Sequence, residues 1–194
     1  MNDKLLKLKN NSLDDDIPIM QDEGLNFLIE LIKNKKIKKI LEIGTAVGYS
    51  AIKMATVSSD IQITTIERDK ARYDCARKNI KDFNLNSRIN PIFADATELT
   101  IDDKYDLIFI DAAKGKNTLF FEKFKNNLNP DGYIVTDNLK FHGCVEKPLE
   151  EIESRNVRGL VRKIRNYIEF LKDNEEFETE FFDVGDGISV SRRK

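Results

Sequence analysis

The sequence predicts a single α/β domain in which helices cover both faces of a mostly parallel sheet. From Lys38 onward, short apolar runs alternate with longer amphipathic stretches, as in repeated strand–helix–strand units. Near the C-terminus, two further apolar runs flank Gly185-Asp186-Gly187, a turn sequence that favours an antiparallel hairpin. A chain of 194 residues is long enough to bury one core without disulfides or structural zinc.

Apolar runs and helical periodicity assign the elements in order. Five strands are predicted at residues 39–43, 62–67, 89–94, 105–111 and 133–136. Helices are predicted at residues 50–57, 69–83, 118–127 and 150–172. The hairpin strands are predicted at 177–184 and 188–192, and Asn-Pro-Asp-Gly at 129–132 favours a turn before the fifth strand. We expect one domain over residues 1–194, with 1–16 as a flexible N-terminal segment.

Composition excludes several classes of protein. Charged residues make up 34% of the chain and hydrophobic residues 40%, which argues against a disordered or fibrous protein. The two cysteines have no CxxC spacing, so neither a zinc site nor a disulfide framework is indicated. The net charge of -2 excludes a globally basic nucleic-acid binder but leaves a local basic patch open. No apolar run approaches the roughly 20 residues of a spanning helix, so we expect a cytoplasmic protein without membrane contact.

A glycine-containing loop follows the first predicted strand at residues 41–50, Leu-Glu-Ile-Gly-Thr-Ala-Val-Gly-Tyr-Ser. Gly44 has no Cβ, so a ligand can approach the backbone closely there. The loop lacks the third glycine of a dinucleotide fingerprint, and Glu42 places an acidic group at the strand end. A pyrophosphate is therefore a poor fit, whereas a cationic sulfonium amino acid is a good one.

Acidic residues also end the next two predicted strands. Glu67 lies about 20 residues beyond the loop, where an acidic side chain accepts hydrogen bonds from ribose hydroxyls. Asp95 and Ala96 follow the third strand and are placed to flank an adenine. The alternative is that Glu67 and Asp95 merely cap the helices that follow them.

Three oxygen donors are predicted to converge where two adjacent strands end. Asp111 ends one apolar run, and Asp137 and Asn138 end the next. Two carboxylates and an amide suit a hard cation such as Mg²⁺ better than zinc. Lys114 is a candidate general base, with a solvated surface lysine as the alternative. His142 is expected to be a loop residue rather than a ligand.

Five short motifs occur in order along the chain: IPIM at 17–20, LEIGTAVGYS at 41–50, IFIDAAKG at 108–115, TDN at 136–138 and VGDG at 184–187. Together they resemble the catechol-type O-methyltransferase superfamily and, within it, the bacterial tRNA 5-hydroxyuridine methyltransferases. The resemblance implies a Rossmann-like class I methyltransferase fold and an S-adenosylmethionine cofactor. It also implies a homodimer that methylates the 5-hydroxyl of the wobble uridine, with the tRNA anticodon stem-loop as partner.

The resemblance also assigns roles to individual residues. It implies a methyl-donor pocket lined by Met20, Ser50, Glu67, Asp95 or Ala96, and Asp111. It implies Mg²⁺ ligands at Asp111, Asp137 and Asn138. Asp111 and Lys114 are then the catalytic residues, with Lys114 at the position of the superfamily's catalytic lysine.

The basic residues of the last predicted helix bear on whether the substrate is a tRNA or a small phenolic ring. Four arginines recur at near-helical spacing and are candidate phosphate contacts: Arg155, Arg158, Arg162 and Arg165. The alternative is a solvated helix balanced by neighbouring glutamates, which would suit an enzyme acting on a small phenolic ring. A non-catalytic binding module is disfavoured by the intact set of Asp111, Lys114, Asp137 and Asn138. A nicotinamide oxidoreductase is disfavoured by the incomplete glycine fingerprint.

Overall fold

A mixed sheet forms the centre of the computed structural model, which describes residues 2–15 and 17–194. Its strands are β1 (Lys39–Ile43), β2 (Gln62–Glu67), β3 (Ile89–Phe93), β4 (Tyr105–Ile110), β5 (Leu128–Thr136), β6 (Phe177–Phe182) and β7 (Ile188–Arg193). The α-helices are α1 (Asn2–Asp14), α2 (Asp22–Asn34), α3 (Tyr49–Ala55), α4 (Lys70–Asp82), α5 (Asn117–Phe124) and α6 (Arg155–Lys172).

The strand order is β3-β2-β1-β4-β5-β7-β6. Strands β1 to β5 pair in parallel, whereas β7 is antiparallel to both β5 and β6. Ile43 lies opposite both Ile66 of β2 and Ile110 of β4, so the carboxyl ends of these strands meet at one edge. The predicted Rossmann-like fold with a C-terminal antiparallel hairpin is confirmed.

Two hydrophobic layers cover the sheet. Consecutive residues of a strand point to opposite faces, and β4 shows this because Phe109 packs in one layer and Ile108 in the other, both fully buried. The first layer includes Leu28 of α2 and Ile52 of α3. The second includes Phe121 of α5 and residues of α6. Helices therefore lie on both faces, as predicted.

Strand β5 begins five residues earlier than the sequence analysis predicted. The Asn-Pro-Asp-Gly sequence at 129–132 lies within the strand, where the register against β4 shifts. Tyr105 pairs with Leu128, and Leu107 pairs with Tyr133. The turn-forming residues are therefore accommodated as an irregularity of the strand rather than as a separate turn before it.

The N-terminal segment contains the helix α1, where no helix was predicted from the sequence. Leu5 and Ser12 are buried, and the Ser12 hydroxyl donates to the Leu8 carbonyl at 2.7 Å. An ion pair between Lys9 and Asp22 links α1 to α2. Helix α2 was also not predicted from the sequence. Residues 1 and 16 of the predicted segment lie outside the described ranges.

Helix α6 begins at Arg155 rather than at residue 150. Ser154 is its N-cap, and its hydroxyl accepts a hydrogen bond from the Val157 amide at 3.4 Å. A separate 3-10 turn spans Leu149–Glu151, and Ile152 after it is buried. Among the described residues, no helix is long and apolar enough to cross a membrane.

Candidate active site

A cleft of about 640 Å³ opens where the parallel strands β1 to β4 end. Its volume lies within the range of small-molecule sites. Ligands of open α/β sheets bind at the carboxyl ends of the strands. The remaining wall comes from the segment between α1 and α2 and from the loop after β5; wall residues from these two segments include Ile17, Met20, Asn138, Phe141 and His142.

Gly44 makes the turn after β1. Its φ of +105° is a left-handed conformation that favours glycine, and a Cβ there would lie 2.2 Å from the Asp111 carbonyl oxygen. Its amide donates to the Ile66 carbonyl at 3.0 Å. Gly44 lines the cleft as expected. Because Gly44 has no side chain, the backbone of the loop after β4 can lie against it. From the sequence, this glycine was expected to make room for a ligand only.

Glu67 lines the cleft with a side chain that is largely buried. One carboxylate oxygen accepts from the Ala46 amide at 2.8 Å, and the other from the Asp69 amide at 2.9 Å. A carboxylate offers about four acceptor positions, so acceptor capacity remains for the hydroxyls of a ribose. Glu67 therefore lines the cleft and does not cap α4, whose N-cap is Asp69.

Asp95 also lines the cleft while holding the turn after β3. Its Oδ1 atom accepts from the Thr97 amide and the Thr97 hydroxyl, each at 2.8 Å. These hydrogen bonds hold the pKa of Asp95 below its usual value, with a smaller contribution from the positive charge of Lys116. Ala96 lies beside it in the cleft wall. The cleft thus has an ionised carboxylate at the end of β3.

Glu42 does not line the cleft, which corrects the expectation that it faces the methyl donor. Its side chain is fully buried and accepts hydrogen bonds from the hydroxyls of Ser50 and Thr65, both at 2.5 Å. Burial raises the pKa of Glu42 to about 8. Ser50 and Met20 do line the cleft, as predicted. Glu42 therefore supports the wall from behind by holding Ser50.

Lys114 and Asp111 form an ion pair in the cleft. The Nζ atom of Lys114 lies 2.6 Å from Oδ1 of Asp111, and each side chain is only 19% exposed. Both residues line the cleft. Lys114 is therefore a partly buried, paired amine rather than a solvated surface lysine. The 3-10 turn Lys114–Lys116 connects it to α5.

Asp137 is buried beside these groups. Burial, followed by the negative charge of Asp111, raises the pKa of Asp137 to about 7. Its Oδ1 atom has no hydrogen-bond partner among the described residues. The next residue, Asn138, lines the cleft and has a φ of 64°. Buried polar oxygens without partners are rare and call for a specific explanation, and a divalent cation bound by oxygen ligands supplies one.

The fit to a metal depends on the amide as well as the carboxylates. No cluster of three or more His, Cys, Asp or Glu side chains with metal-binding geometry occurs in residues 2–15 and 17–194. The predicted set contains two carboxylates and the side-chain oxygen of Asn138. Such an all-oxygen set, completed by water and substrate, has the chemistry that Mg²⁺ requires. The residues present therefore fit the predicted cation.

The four candidate RNA-binding arginines divide into two pairs. Arg158 donates to the Ile152 and Glu153 carbonyls, and Arg165 donates to the Val145 carbonyl at 2.8 Å and to the Lys147 carbonyl. These two side chains hold the loop between β5 and α6 against the helix. Arg155 and Arg162 are exposed. The guanidinium groups of Arg158 and Arg165 therefore bind this chain's own backbone, whereas contact of any of the four arginines with RNA stays a prediction.

Asp186 was not assigned a role from the sequence. It lies in the β6–β7 turn, is 4% exposed, and binds both Asn138 and the backbone of His142. Two signals were available, its position between two glycines and its place in the VGDG motif at 184–187, and neither indicated a contact with Asn138. Its true partners are more than 40 residues away in sequence.

Comparison with known proteins agrees with this site. A family model described as O-methyltransferase matches residues 3–194. The caffeoyl-CoA O-methyltransferase of Populus kitakamiensis is 28% identical over 180 residues, covering 89% of this chain and 76% of the relative. The tapetum-specific methyltransferase 1 of Arabidopsis thaliana is 30% identical over 179 residues, with the same coverage of both chains.

Solved structures extend the similarity to the cofactor. A Staphylococcus aureus protein provisionally assigned as a caffeoyl-CoA O-methyltransferase superposes with a TM-score of 0.94 and 35% identity, covering 98% of this chain and 92% of that chain. A Bacillus cereus O-methyltransferase in complex with SAH has a TM-score of 0.82 and 26% identity, covering 99% and 91%. The chain therefore belongs to the caffeoyl-CoA and catechol type of class I, S-adenosylmethionine-dependent O-methyltransferases.

Proposed function

We propose that this enzyme uses S-adenosylmethionine and Mg²⁺ to methylate the 5-hydroxyl of the wobble uridine in tRNA, giving 5-methoxyuridine. The observation that carries the metal-assisted O-methyl transfer is the shared cleft. One cleft is lined both by the proposed acceptor-side residues Asp111, Lys114 and Asn138 and by the proposed donor-side residues Glu67 and Asp95. A reacting hydroxyl and a methyl donor can therefore be held side by side in one enclosed space.

The donor half of the cleft is built to bind an adenosyl group. When bound, S-adenosylmethionine supplies an electrophilic methyl group on a sulfonium. Glu67 is placed to accept hydrogen bonds from the ribose, and Ala96 offers an apolar contact beside Asp95 for the adenine. Met20 closes the opposite wall. These contacts orient the donor for an in-line displacement.

The acceptor half of the cleft controls the proton of the reacting hydroxyl. When bound, Mg²⁺ supplies Lewis-acid stabilisation that lowers the pKa of the substrate oxygen. Asp111, Asp137 and Asn138 would hold it. The Lys114 ammonium lies in the same wall, paired with Asp111. A cation at Asp111 would displace this pair, and the Lys114 amine, once it has released its proton to solvent, would take the hydroxyl proton as general base.

The substrate proposal has its own support. Phe141 and His142 line the cleft with ring centroids 5.6 Å apart, and planar groups of this kind favour a flat heterocycle. Arg68 and Arg72 line the cleft and are exposed, and Arg155 and Arg162 are exposed on α6. Such cations suit the phosphates around an anticodon loop. The resemblance to tRNA methyltransferases stated above adds to this.

A small phenolic ring is the second candidate substrate. It is favoured by two of the relatives compared with this chain, because their names refer to caffeoyl-CoA. The chemistry at the reacting oxygen would be unchanged, since both substrates present an acidic hydroxyl on a planar ring. The two proposals differ in whether the enzyme contacts phosphates outside the cleft.

Mass spectrometry of nucleosides distinguishes the two substrates. Transfer RNA containing 5-hydroxyuridine is incubated with enzyme, S-adenosylmethionine and Mg²⁺, and a parallel reaction contains a catechol instead. The proposal predicts 5-methoxyuridine at the wobble position and loss of the product when a chelator is added. Efficient turnover of the catechol without any RNA product would replace it with the second candidate. We also propose a homodimer, which sedimentation equilibrium tests directly.

A further inference from the structure

The turn of the C-terminal hairpin is hydrogen-bonded to the loop that follows β5. Oδ2 of Asp186 accepts a hydrogen bond from Nδ2 of Asn138 at 3.1 Å, and Oδ1 accepts from the backbone amide of His142 at 2.6 Å. The backbone of the turn adds two more bonds, because the Lys140 amide donates to the Asp186 carbonyl at 2.8 Å and the Leu139 amide to the Gly187 carbonyl at 3.0 Å. Both carboxylate oxygens of Asp186 are thus engaged on one loop.

The bond to Asp186 decides which way the Asn138 amide points. An ionised carboxylate can only accept hydrogen bonds, so the NH₂ group of Asn138 must face it. The side-chain oxygen of Asn138 is on the other side of the same planar amide. It is therefore turned away from Asp186, and Asn138 lines the cleft. Without Asp186, nothing in the described contacts would favour this orientation over the flipped one.

The loop itself needs this support because its backbone is unusual. Asn138, Phe141 and His142 all have positive φ values, of 64°, 46° and 54°. Residues other than glycine rarely adopt this conformation, and it persists only where the surrounding structure holds it. Asp186 is 4% exposed and bonds to residues at both ends of this strained run.

We propose that Asp186 is a positioning residue that presents the side-chain oxygen of Asn138 to the divalent cation. It does not touch the cation or the substrate; it acts through Asn138. The proposal rests on the proposed function because it assumes a metal at Asp111, Asp137 and Asn138. Partners of metal ligands that set ligand orientation typically change metal affinity by roughly 10- to 100-fold when replaced.

The substitution Asp186→Asn tests the orientation directly. The new amide can still accept from His142, but it then directs its NH₂ group at Asn138. Asn138 is expected to flip so that its oxygen accepts that bond and its own NH₂ group faces the metal. The affinity for Mn²⁺ should fall roughly 10- to 100-fold. Electron paramagnetic resonance on the resting enzyme measures this affinity. This readout does not depend on turnover.

An exchange of the two side chains provides the sharper result. In the double variant Asn138→Asp with Asp186→Asn, the new carboxylate accepts from the new amide and keeps its second oxygen for the metal. Total charge is the same as in the wild type. Mn²⁺ affinity should therefore return at least to within a few-fold of the wild-type value, although the single variant Asp186→Asn is impaired. A residue that merely stabilised the hairpin would give no such recovery.

A matched control is available on the same hairpin. Asp183 is 83% exposed and pairs with Lys140, so Asp183→Asn removes the same charge without touching Asn138 and should leave Mn²⁺ affinity unchanged. Wild-type affinity in Asp186→Asn, or no recovery in the exchanged double variant, would overturn the positioning role while leaving the metal site intact. Absence of specific Mn²⁺ binding in the wild type would overturn the metal site and the positioning role together.

Discussion

The Lys114 amine contacts the Asp111 carboxylate at 2.6 Å, and both side chains lie in the cleft wall. This relationship ties the candidate base to a candidate metal ligand. Since the two residues are three apart in sequence, the turn after β4 sets their geometry. Because Asp111 cannot keep this contact with Lys114 unchanged while it binds a cation, metal binding and the position of Lys114 are expected to be coupled.

Replacement of Lys114 by methionine should lower the rate of methyl transfer by about 10²- to 10⁴-fold, the usual contribution of a general base. Binding of S-adenosylmethionine should change little, because Lys114 acts at the acceptor hydroxyl. Single-turnover kinetics and calorimetry measure the two effects. Lys163→Met is the control, since Lys163 is an exposed lysine near the same turn. Equal rates in the two variants would remove Lys114 from the mechanism.

Glu67→Ala should weaken binding of the methyl donor by roughly tenfold or more. A hydrogen bond to a charged group is worth about 1.5–3 kcal/mol, and each 1.4 kcal/mol is a factor of about ten. Titration calorimetry with S-adenosylhomocysteine checks the value. Glu98→Ala, an exposed glutamate after β3, should bind as the wild type does. Unchanged affinity in Glu67→Ala would move the ribose contact to another residue.

Buried Glu42 predicts a dependence of stability on pH. Its pKa is raised from 4.5 to about 8 in the folded protein, so the native state keeps a proton that the unfolded chain releases. The free energy of unfolding should therefore fall as pH rises from about 4.5 to about 8, by at most ~5 kcal/mol from this group. Glu42→Gln mimics the protonated form and should flatten this part of the profile. Urea denaturation at a series of pH values measures this. The same pH dependence of the free energy of unfolding in the wild type and in Glu42→Gln would contradict the prediction.

Replacing the exposed pair Arg155 and Arg162 by glutamate should weaken binding of an anticodon stem-loop. Each lost phosphate contact should reduce the slope of log K against log salt by about 0.7–0.9. Turnover of a catechol should be nearly unchanged. Arg158→Glu instead removes the bonds to the Ile152 and Glu153 carbonyls and should lower stability. RNA binding that is insensitive to the Arg155 and Arg162 changes would remove α6 from the RNA path.

Sequence patterns predicted the fold well because the spacing of apolar residues within a short segment indicates whether it is a buried strand or an amphipathic helix. The bounds of β1 and β2 were predicted correctly. Helix α4 begins one residue after its predicted start, and the Asp69 side chain caps it by accepting from the Arg72 amide at 2.9 Å. Strand β5 was predicted too short because the Pro-Gly signal at 130–132 is compatible with an irregular strand as well as with a turn.

The candidate site was predicted in part. Residues at strand ends were identified because parallel strands bring their carboxyl ends together. Glu42 was placed in the cleft because sequence shows that a residue is at a strand end but not which face it points to. Asp186 was missed since its contact with Asn138 joins two distant loops. The roles of Arg158 and Arg165 depended on where the loop after β5 folds back, which helical spacing does not reveal.

Methyl transfer should require a divalent cation held by Asp137 and Asn138. Single-turnover methylation of a 5-hydroxyuridine stem-loop is measured for the wild type, Asp137→Ala and Asn138→Ala in metal-free buffer and across a Mg²⁺ titration. We expect no transfer by the wild type in chelator, recovery as Mg²⁺ is added, and no comparable recovery in either variant, with the fold intact by circular dichroism. Full activity of both variants in metal-free buffer would contradict it.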